Sequence, residues 1–280
     1  MNKTINDQEL QKRYENTPEG KTRIERLQRS LELAAQSLPK MPVKIPVDKD
    51  YFSFLMYGDT QLGSLYERVD VIKSVYKCAK ERKIAHVLHT GDVFDGHKVY
   101  RGQEFEVHKH GWDAQKKHGL KVFPVVDGIT THFITGNHDS SLEKLAGINV
   151  GEEWAQARPD WNYLGKDHGR AVFDTPAGEF SVDLIHPDGG TAYAISYKSQ
   201  RIIEQMEGGK KPHLLGIGHF HKAEMLPQYR NIAAIQTGCC QDQTPFMKRK
   251  PTAAHVGFWQ VDVYLGGKYS SFKTEYFAFY

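Results

Sequence analysis

From residue 51 onward the hydrophobic positions fall into short runs of strand length, at 51–57, 84–90, 130–135, 179–186 and 213–217. Between them the spacing changes to helical. Leu65, Val69, Ile72, Tyr76 and Ala79 share one face of a helix expected over 65–82, and Phe105, His108 and Trp112 mark another over 102–118. After residue 230 the stretches "NIAAIQTG", "AAHVGFWQVDVYLGG" and "KYSSFKTEYFAFY" read as strands, the last two joined at a Gly-Gly turn. Helices alternating with strands early, and strands alone late, predict an α/β layered domain finished by antiparallel sheet.

The first 50 residues have a different texture. They are polar and end in the proline-punctuated "LPKMPVKIPVDKD", with Ile24, Leu27, Leu31, Ala34 and Leu38 at helical spacing. Thr17-Pro18-Glu19 supplies an N-cap, a first-turn proline and an early acid. A helix over 18–38 followed by an extended linker is expected, making 1–48 a helical arm and 49–280 the main domain. Ten Lys/Arg against eight Asp/Glu in residues 1–50 give a charged arm that packs on the main domain, packs on a partner, or binds DNA.

Composition narrows the class. With 39% hydrophobic and 25% charged residues the chain reads as an ordinary soluble protein. No apolar run reaches the length of a membrane span, and the start "MNKTINDQEL" lacks the apolar centre of a signal peptide, so a cytoplasmic location is expected. Cys78, Cys239 and Cys240 cannot build a disulfide framework and are expected as reduced thiols. A net charge of +3 is compatible with a polyanionic substrate without requiring one. The 14 histidines change the picture more, because several follow apolar runs directly.

Five strand ends share a design: "GDTQ" (58–61), "GDVFDG" (91–96), "GNHD" (136–139), "IHPDGG" (185–190) and "GHFH" (218–221). Each places Asp, Asn or His just after an apolar run, and in an α/β sheet the loops at strand carboxyl ends converge on one crevice. Asp, Asn and His together offer hard oxygen and borderline nitrogen donors suited to Mn²⁺, Fe²⁺ or Zn²⁺. Two such ions side by side need a bridging carboxylate, for which Asp92 is the natural candidate.

In this order the motifs resemble the signature of calcineurin-like metallophosphoesterases over residues 55 to 240. "GDVFDG" and "GNHD" are most similar to the branch containing DNA double-strand-break repair exonucleases. The resemblance implies a four-layer αββα sandwich of two mixed β-sheets flanked by helices, and two divalent ions, Mn²⁺ foremost with Fe²⁺ or Zn²⁺ as alternatives. It implies that Asp59, Gln61, Asp92 and His221 surround one ion, and that Asp92 is shared with a second that also takes Asn137, His186 and His219. His138 matches the family histidine that approaches the leaving-group oxygen, with Asp139 placed to orient it. Gln61 departs from the pattern, since the family usually has histidine there. The implied activity is phosphodiester hydrolysis, with DNA exo- or endonuclease action as its sharper form. The alternatives are a phosphomonoesterase or cyclic-nucleotide phosphodiesterase, or a non-catalytic scaffold of the kind represented by the retromer subunit.

Other residues carry two readings each. Asp95 is a turn residue or a catalytic one, and His89 a strand residue or a support for the ligands. His97, His108, His110 and His118, with Lys98, Arg101 and Lys109, form a solvated helix face or line an anionic channel. Tyr193, Tyr197, Lys198 and Arg201 follow His186 closely, the tyrosines either core or stacking platforms. Lys248, Arg249 and Lys250 form a basic surface loop or contact a phosphate backbone.

Overall fold

Residues 14–37, 40–266 and 270–280 are described by the computed structural model. They fall into two units, one up to Pro39 and one from Lys40 to Tyr280. The first holds α1 (Pro18–Ser37), which starts as expected: Thr17 Oγ1 accepts the Gly20 N–H at 3.0 Å. Leu38, counted on its apolar face, lies outside the described residues.

In the second unit, β1 (Val43–Pro46) and β2 (Tyr51–Tyr57) precede α2 (Val69–Glu81), β3 (His86–His89) and α3 (Trp112–Val122). Then follow β4 (Thr130–Thr135), α4 (Asn137–Ala146), α5 (Val150–Ala157), β5 (Trp161–Lys166), β6 (His168–Thr175) and β7 (Gly178–Ile185). The remainder is α6 (Tyr197–Gln205), β8 (Leu214–Ile217), β9 (Ala223–Tyr229), β10 (Ile232–Thr237), α7 (Pro245–Arg249), β11 (Gly257–Leu265) and β12 (Ser270–Ala278).

Two mixed six-stranded sheets result, ordered β1-β6-β7-β8-β10-β9 and β12-β11-β2-β3-β4-β5. The alternation along β2 explains their stacking. Phe52, Phe54 and Met56 share a core with Phe173, Phe180, Leu184 and Ile235 of the other sheet, and the Phe52 and Phe173 rings lie 4.7 Å apart. Leu55 and Tyr57 face the opposite way, toward Ile72, Tyr76, Trp112 and Trp154 of the helices. On the far side of the first sheet, Leu215 and Ile217 pack with Ile203 of α6. The order helix, sheet, sheet, helix is the αββα sandwich.

Several boundaries differ from the sequence reading. Residues 43–46, expected as linker, are an edge strand paired in parallel with β6. The helix expected over 65–82 begins only at Val69; Leu65 is exposed, and its N–H is donated to the Glu106 carbonyl at 2.8 Å. The helix expected over 102–118 is replaced by one 3₁₀ turn at Gln103–Phe105 and then α3, because Gly102 and Gly111 take φ of 94° and 77° and break the run. β5, β6 and β9 were not anticipated. The Gly-Gly turn before β12 falls partly on residues 267–269, outside the described residues. Cys78, Cys239 and Cys240 are all buried free thiols.

Candidate metal centre

β2, β3 and β4 run parallel in one sheet and β7 and β8 run parallel in the other. Their carboxyl ends carry the five motifs. After β2, the Asp59 and Gln61 N–H groups bond the carbonyls of Gly91 and Asp92, each at 3.0 Å, so the two ligand-bearing loops lie side by side. His89 staples them: its Nδ1 accepts the Gly91 N–H at 3.2 Å, so its Nε2–H points at Thr60 Oγ1, 3.1 Å away. Burial holds this ring neutral, pushed down to about 3. His89 therefore supports the ligand loops from the strand.

Asp59, Gln61, Asp92, His219 and His221 all take left-handed backbone, with φ between 42° and 77°. Such conformations cost roughly 1 kcal/mol or more each for residues with a Cβ, and they concentrate where function demands a particular projection. Glycine is required beside them for a different reason, close approach. A Cβ at Gly136 would sit 2.3 Å from Asp92 Oδ1 and 2.6 Å from His186 Cδ2.

The buried side chains crowd their polar atoms together, and one contact, His219 with Asn137, is not met by an ordinary hydrogen bond. His186 Nδ1 lies 2.8 Å from the Thr90 carbonyl and so carries a proton there; its Nε2 then faces Asp92 Oδ2 and Asn137 Oδ1, each at 3.1 Å. His219 Nε2 is held by the Gly189 carbonyl at 2.7 Å, which turns the Nδ1 lone pair toward Asn137 Oδ1 at 2.9 Å. Two imidazoles, an amide oxygen and a carboxylate thus converge on one point. Without a metal, burial would lower His186, but the Asp92 carboxylate outweighs it and lifts the ring to about 10. Nε2 then carries a proton paired with the Asp92 carboxylate; a cation can take its place, and the donor set of one carboxylate, one amide oxygen and two imidazoles suits a divalent transition ion.

Beside it, His221 Nε2 lies 3.3 Å from both Asp59 Oδ1 and Gln61 Nε2, and its buried Nδ1 has no hydrogen-bond partner. Asp59 is tied down by the His219 N–H, 3.0 Å from both carboxylate oxygens. Asp92, facing His186, also accepts the His138 N–H through Oδ1 at 2.9 Å. Both donor sets are therefore chemically fit for divalent ions.

His138 is the first-turn residue of α4 after Asn137. Its Nδ1 lies 2.6 Å from the Asp95 carbonyl, leaving Nε2 toward the cleft, 4.0 Å from Asp92 Oδ2. Asp139, expected to orient this ring, does something else: its carboxylate accepts the N–H groups of Gly136, Val93 and Phe94 at 2.9–3.1 Å and locks the Asp92 loop to the start of α4. Projecting from the third position of the helix, it reaches back to the backbone. The orienting contact comes from Asp95, whose own buried carboxylate accepts from Gln103 Nε2 at 3.1 Å.

The cleft above these groups measures about 510 Å³ and is lined by Gln61, Asp92, Asn137, His138, His219 and His221, with a second wall from Tyr100, Phe246 and Lys250. The Tyr100 and Phe246 rings stack at 4.3 Å, and Tyr100 lies 6.3 Å from the His138 ring. Neither aromatic residue was singled out from sequence; Phe246 stands next to the basic run that was. Lys248 and Arg249 are exposed on α7 and do not line the cleft, whereas Lys250 does. Tyr193 and Tyr197 are exposed, which removes the core reading, and Lys198 Nζ lies over the Phe220 ring at 5.6 Å. His97 and His110 take no part in the centre; His108 and His118 meet elsewhere, at Glu67.

Over residues 52–223 the sequence matches the calcineurin-like phosphoesterase family. The chain belongs to that family. No curated protein matches the sequence of this phosphoesterase. Solved structures similar to it include Vps29 complexed with Zn²⁺ from Entamoeba histolytica, 12% identical, with a TM-score of 0.40 over 80% of this chain and 99% of that one. A phosphatase from Mycoplasma pneumoniae is 12% identical, with a TM-score of 0.42 over 82% and 93% of the two chains. A dimetal phosphatase from Danio rerio is 13% identical, with a TM-score of 0.42 over 81% and 98%. Among the described residues no helix is long and apolar enough to cross a membrane.

Proposed function

We propose that the protein hydrolyses phosphodiester bonds with two divalent ions, Mn²⁺ foremost, and that its substrate is nucleic acid, DNA in particular. The observation that carries the metal dependence is the convergence of His186, His219, Asn137 and Asp92 on one buried point. In this reading Asp59, Gln61, Asp92 and His221 hold one ion, and Asp92, Asn137, His186 and His219 the other. When bound, such ions activate water and neutralise charge on a phosphoryl group.

The chain's own residues do the rest. Asp95 fixes the His138 ring through its carbonyl, so that the protonated Nε2 donates to the departing alkoxide. Asp139 holds the Asp92 loop at the helix start, where positioning is worth most. The Tyr100–Phe246 stack offers an aromatic wall for a base, and Lys250 in the wall, with Lys248 and Arg249 beside it, follows a polyanionic backbone. Tyr193, Tyr197 and Lys198, beyond the His186 loop, extend that contact on the other side.

A competition assay with Mn²⁺ tests this reading, offering single- and double-stranded DNA, RNA, cyclic nucleotides and a small phosphomonoester to wild type and to Asp92→Asn. Cleavage of a polymer that drops at least roughly 100-fold in the variant is expected. Rapid turnover of a small ester without polymer cleavage would replace the nuclease reading by a phosphomonoesterase or cyclic-nucleotide hydrolase. Equal activity in the two proteins would leave a scaffold.

A further inference from the structure

Away from the cleft, three metal-ligating side chains from three separate segments meet at one carboxylate oxygen. Glu67 Oε1 lies 2.6 Å from His118 Nε2 on α3 and 3.2 Å from His108 Nε2 in the loop before it. The two rings stand edge to face, 5.1 Å apart at 85°. None of the three lines the cleft. The other Glu67 oxygen is occupied, accepting the Gly63 N–H at 2.7 Å, so only Oε1 is turned to the histidines.

We infer that Glu67, His108 and His118 form a mononuclear Zn²⁺ site, separate from the dinuclear centre. Two imidazoles and one carboxylate are a donor set that zinc accepts in tetrahedral geometry with a water in the fourth position. Bonds of about 2.1 Å put tetrahedral ligand atoms roughly 3.4 Å apart. The His108 pair already has that separation, and the His118 pair needs to open by less than 1 Å. His108 is the most exposed of the three, its side chain 31% accessible, which leaves an entry path and room for the water. Glu67 and His118 are mostly enclosed, at 10% and 15%, so two of the three ligands are held in place.

The surrounding bonds couple this site to the loop that carries Gln61. Gly63, which bonds Glu67, also accepts the His108 N–H at 2.7 Å through its carbonyl, and the Ser64 N–H returns to the Gln61 carbonyl at 3.2 Å. On α3, one turn before His118, Gln115 donates to the carbonyls of Gly96 and Lys109, each at 2.9 Å. Zinc here closes a clasp between the 61–67 loop, the 106–111 loop and α3. Along the chain the site shows only as a cluster of histidines, because Glu67 lies 41 residues from His108 and 51 from His118.

Zinc content of the full chain, measured by elemental analysis after equilibration with limiting free Zn²⁺, decides the matter. His108→Ala/His118→Ala should bind one zinc fewer per chain than wild type, with unchanged far-ultraviolet dichroism, while Asp92→Asn should keep the zinc that the double variant loses. Equal content in wild type and a folded double variant would overturn the site and leave two hydrogen-bonded histidine–glutamate pairs. Should the double variant misfold, anomalous difference maps at the zinc edge from wild-type crystals grown with zinc give the answer. A peak between the three side chains supports the site, and its absence there overturns it.

Discussion

Asn137 Oδ1 sits 2.9 Å from His219 Nδ1 and 3.1 Å from His186 Nε2, and the opposite nitrogen of each ring is held by a backbone carbonyl. The amide oxygen therefore stands between two imidazoles whose far nitrogens are fixed. Asn137→Ala removes the oxygen and leaves the rings fixed. Mn²⁺ affinity at one site of the pair should fall about 10- to 100-fold by calorimetric titration, with melting temperature little changed in the metal-free protein. Unaltered affinity would mean that Asn137 serves only the first turn of α4.

Close packing behind Asp92 makes a second variant informative. Gly136→Ala would place a methyl group 2.3 Å from Asp92 Oδ1, and neither the carboxylate nor His186 has room to retreat. Loss of Mn²⁺ binding is expected together with destabilisation of about 1–3 kcal/mol, read from urea unfolding. A variant with wild-type stability and wild-type metal binding would contradict the geometry.

Buried histidines away from the cleft should weaken the fold in acid. On β4, His132 has its Nε2 3.3 Å from His86 Nδ1, with Asn162 Nδ2 at 3.4 Å from its other nitrogen. Burial, then His86, pushes His132 down to about 3, and burial lowers His86 as well. The unfolded chain binds a proton near pH 6.5 that the folded chain refuses. The stability contribution is thus complete above pH 6.5 and lost as pH falls toward 3. At pH 5 His132 alone should account for roughly 2 kcal/mol. Melting curves between pH 7 and pH 5 should therefore fall less steeply for His132→Gln than for wild type. Parallel slopes would show that His132 is charged in the fold.

The strands that carry ligands were the legible ones, and for a physical reason. β2, β4 and β8 are central and largely buried, β2 and β8 written mostly in apolar residues and β4 with Phe133-Ile134 between β-branched threonines. β1 and β9 lie at sheet edges, where Pro46 and Pro227 are tolerated, and a proline within a run argues against a strand when only the sequence is read. In the site, residue types and order identified the groups that converge, but not the work of Asp139 and Asp95. That the Asp139 carboxylate turns back to the backbone, while the backbone carbonyl of Asp95 holds the His138 ring, depends on helix geometry at Gly136 and on the path of the 91–96 loop. The Tyr100–Phe246 wall joins residues 146 positions apart and leaves no local pattern.

Where the arm ends can be measured by two truncations. Ile45 is buried between the sheets, and the Val47 N–H bonds the Asp174 carbonyl at 2.9 Å. Removing residues 1–39 should leave the melting temperature of the main unit nearly unchanged. Removing 1–48 should lower its stability by at least about 1.5–3 kcal/mol, the contribution of a buried isoleucine. If α1 delivers DNA to the cleft, the shorter truncation should weaken DNA binding far more than hydrolysis of a small chromogenic diester. Equal loss of both would assign the arm a structural role.

Gln61 stands where the motif resemblance implies a histidine, and its amide lies 3.3 Å from His221 Nε2 in the wall of the cleft. Its backbone, at φ 42°, projects the side chain toward the same space as Asp59 and His221. A neutral amide oxygen is a weaker donor to a transition ion than imidazole, so this half of the centre should release its ion first. Gln61→His should tighten Mn²⁺ binding at that half by roughly tenfold and raise activity at limiting metal, while saturating metal narrows the difference. Titrations of Mn²⁺ against both proteins, followed by electron paramagnetic resonance of the free ion, measure this directly. Equal affinity in the two would mean that Gln61 is a neighbour of the metal and never a ligand.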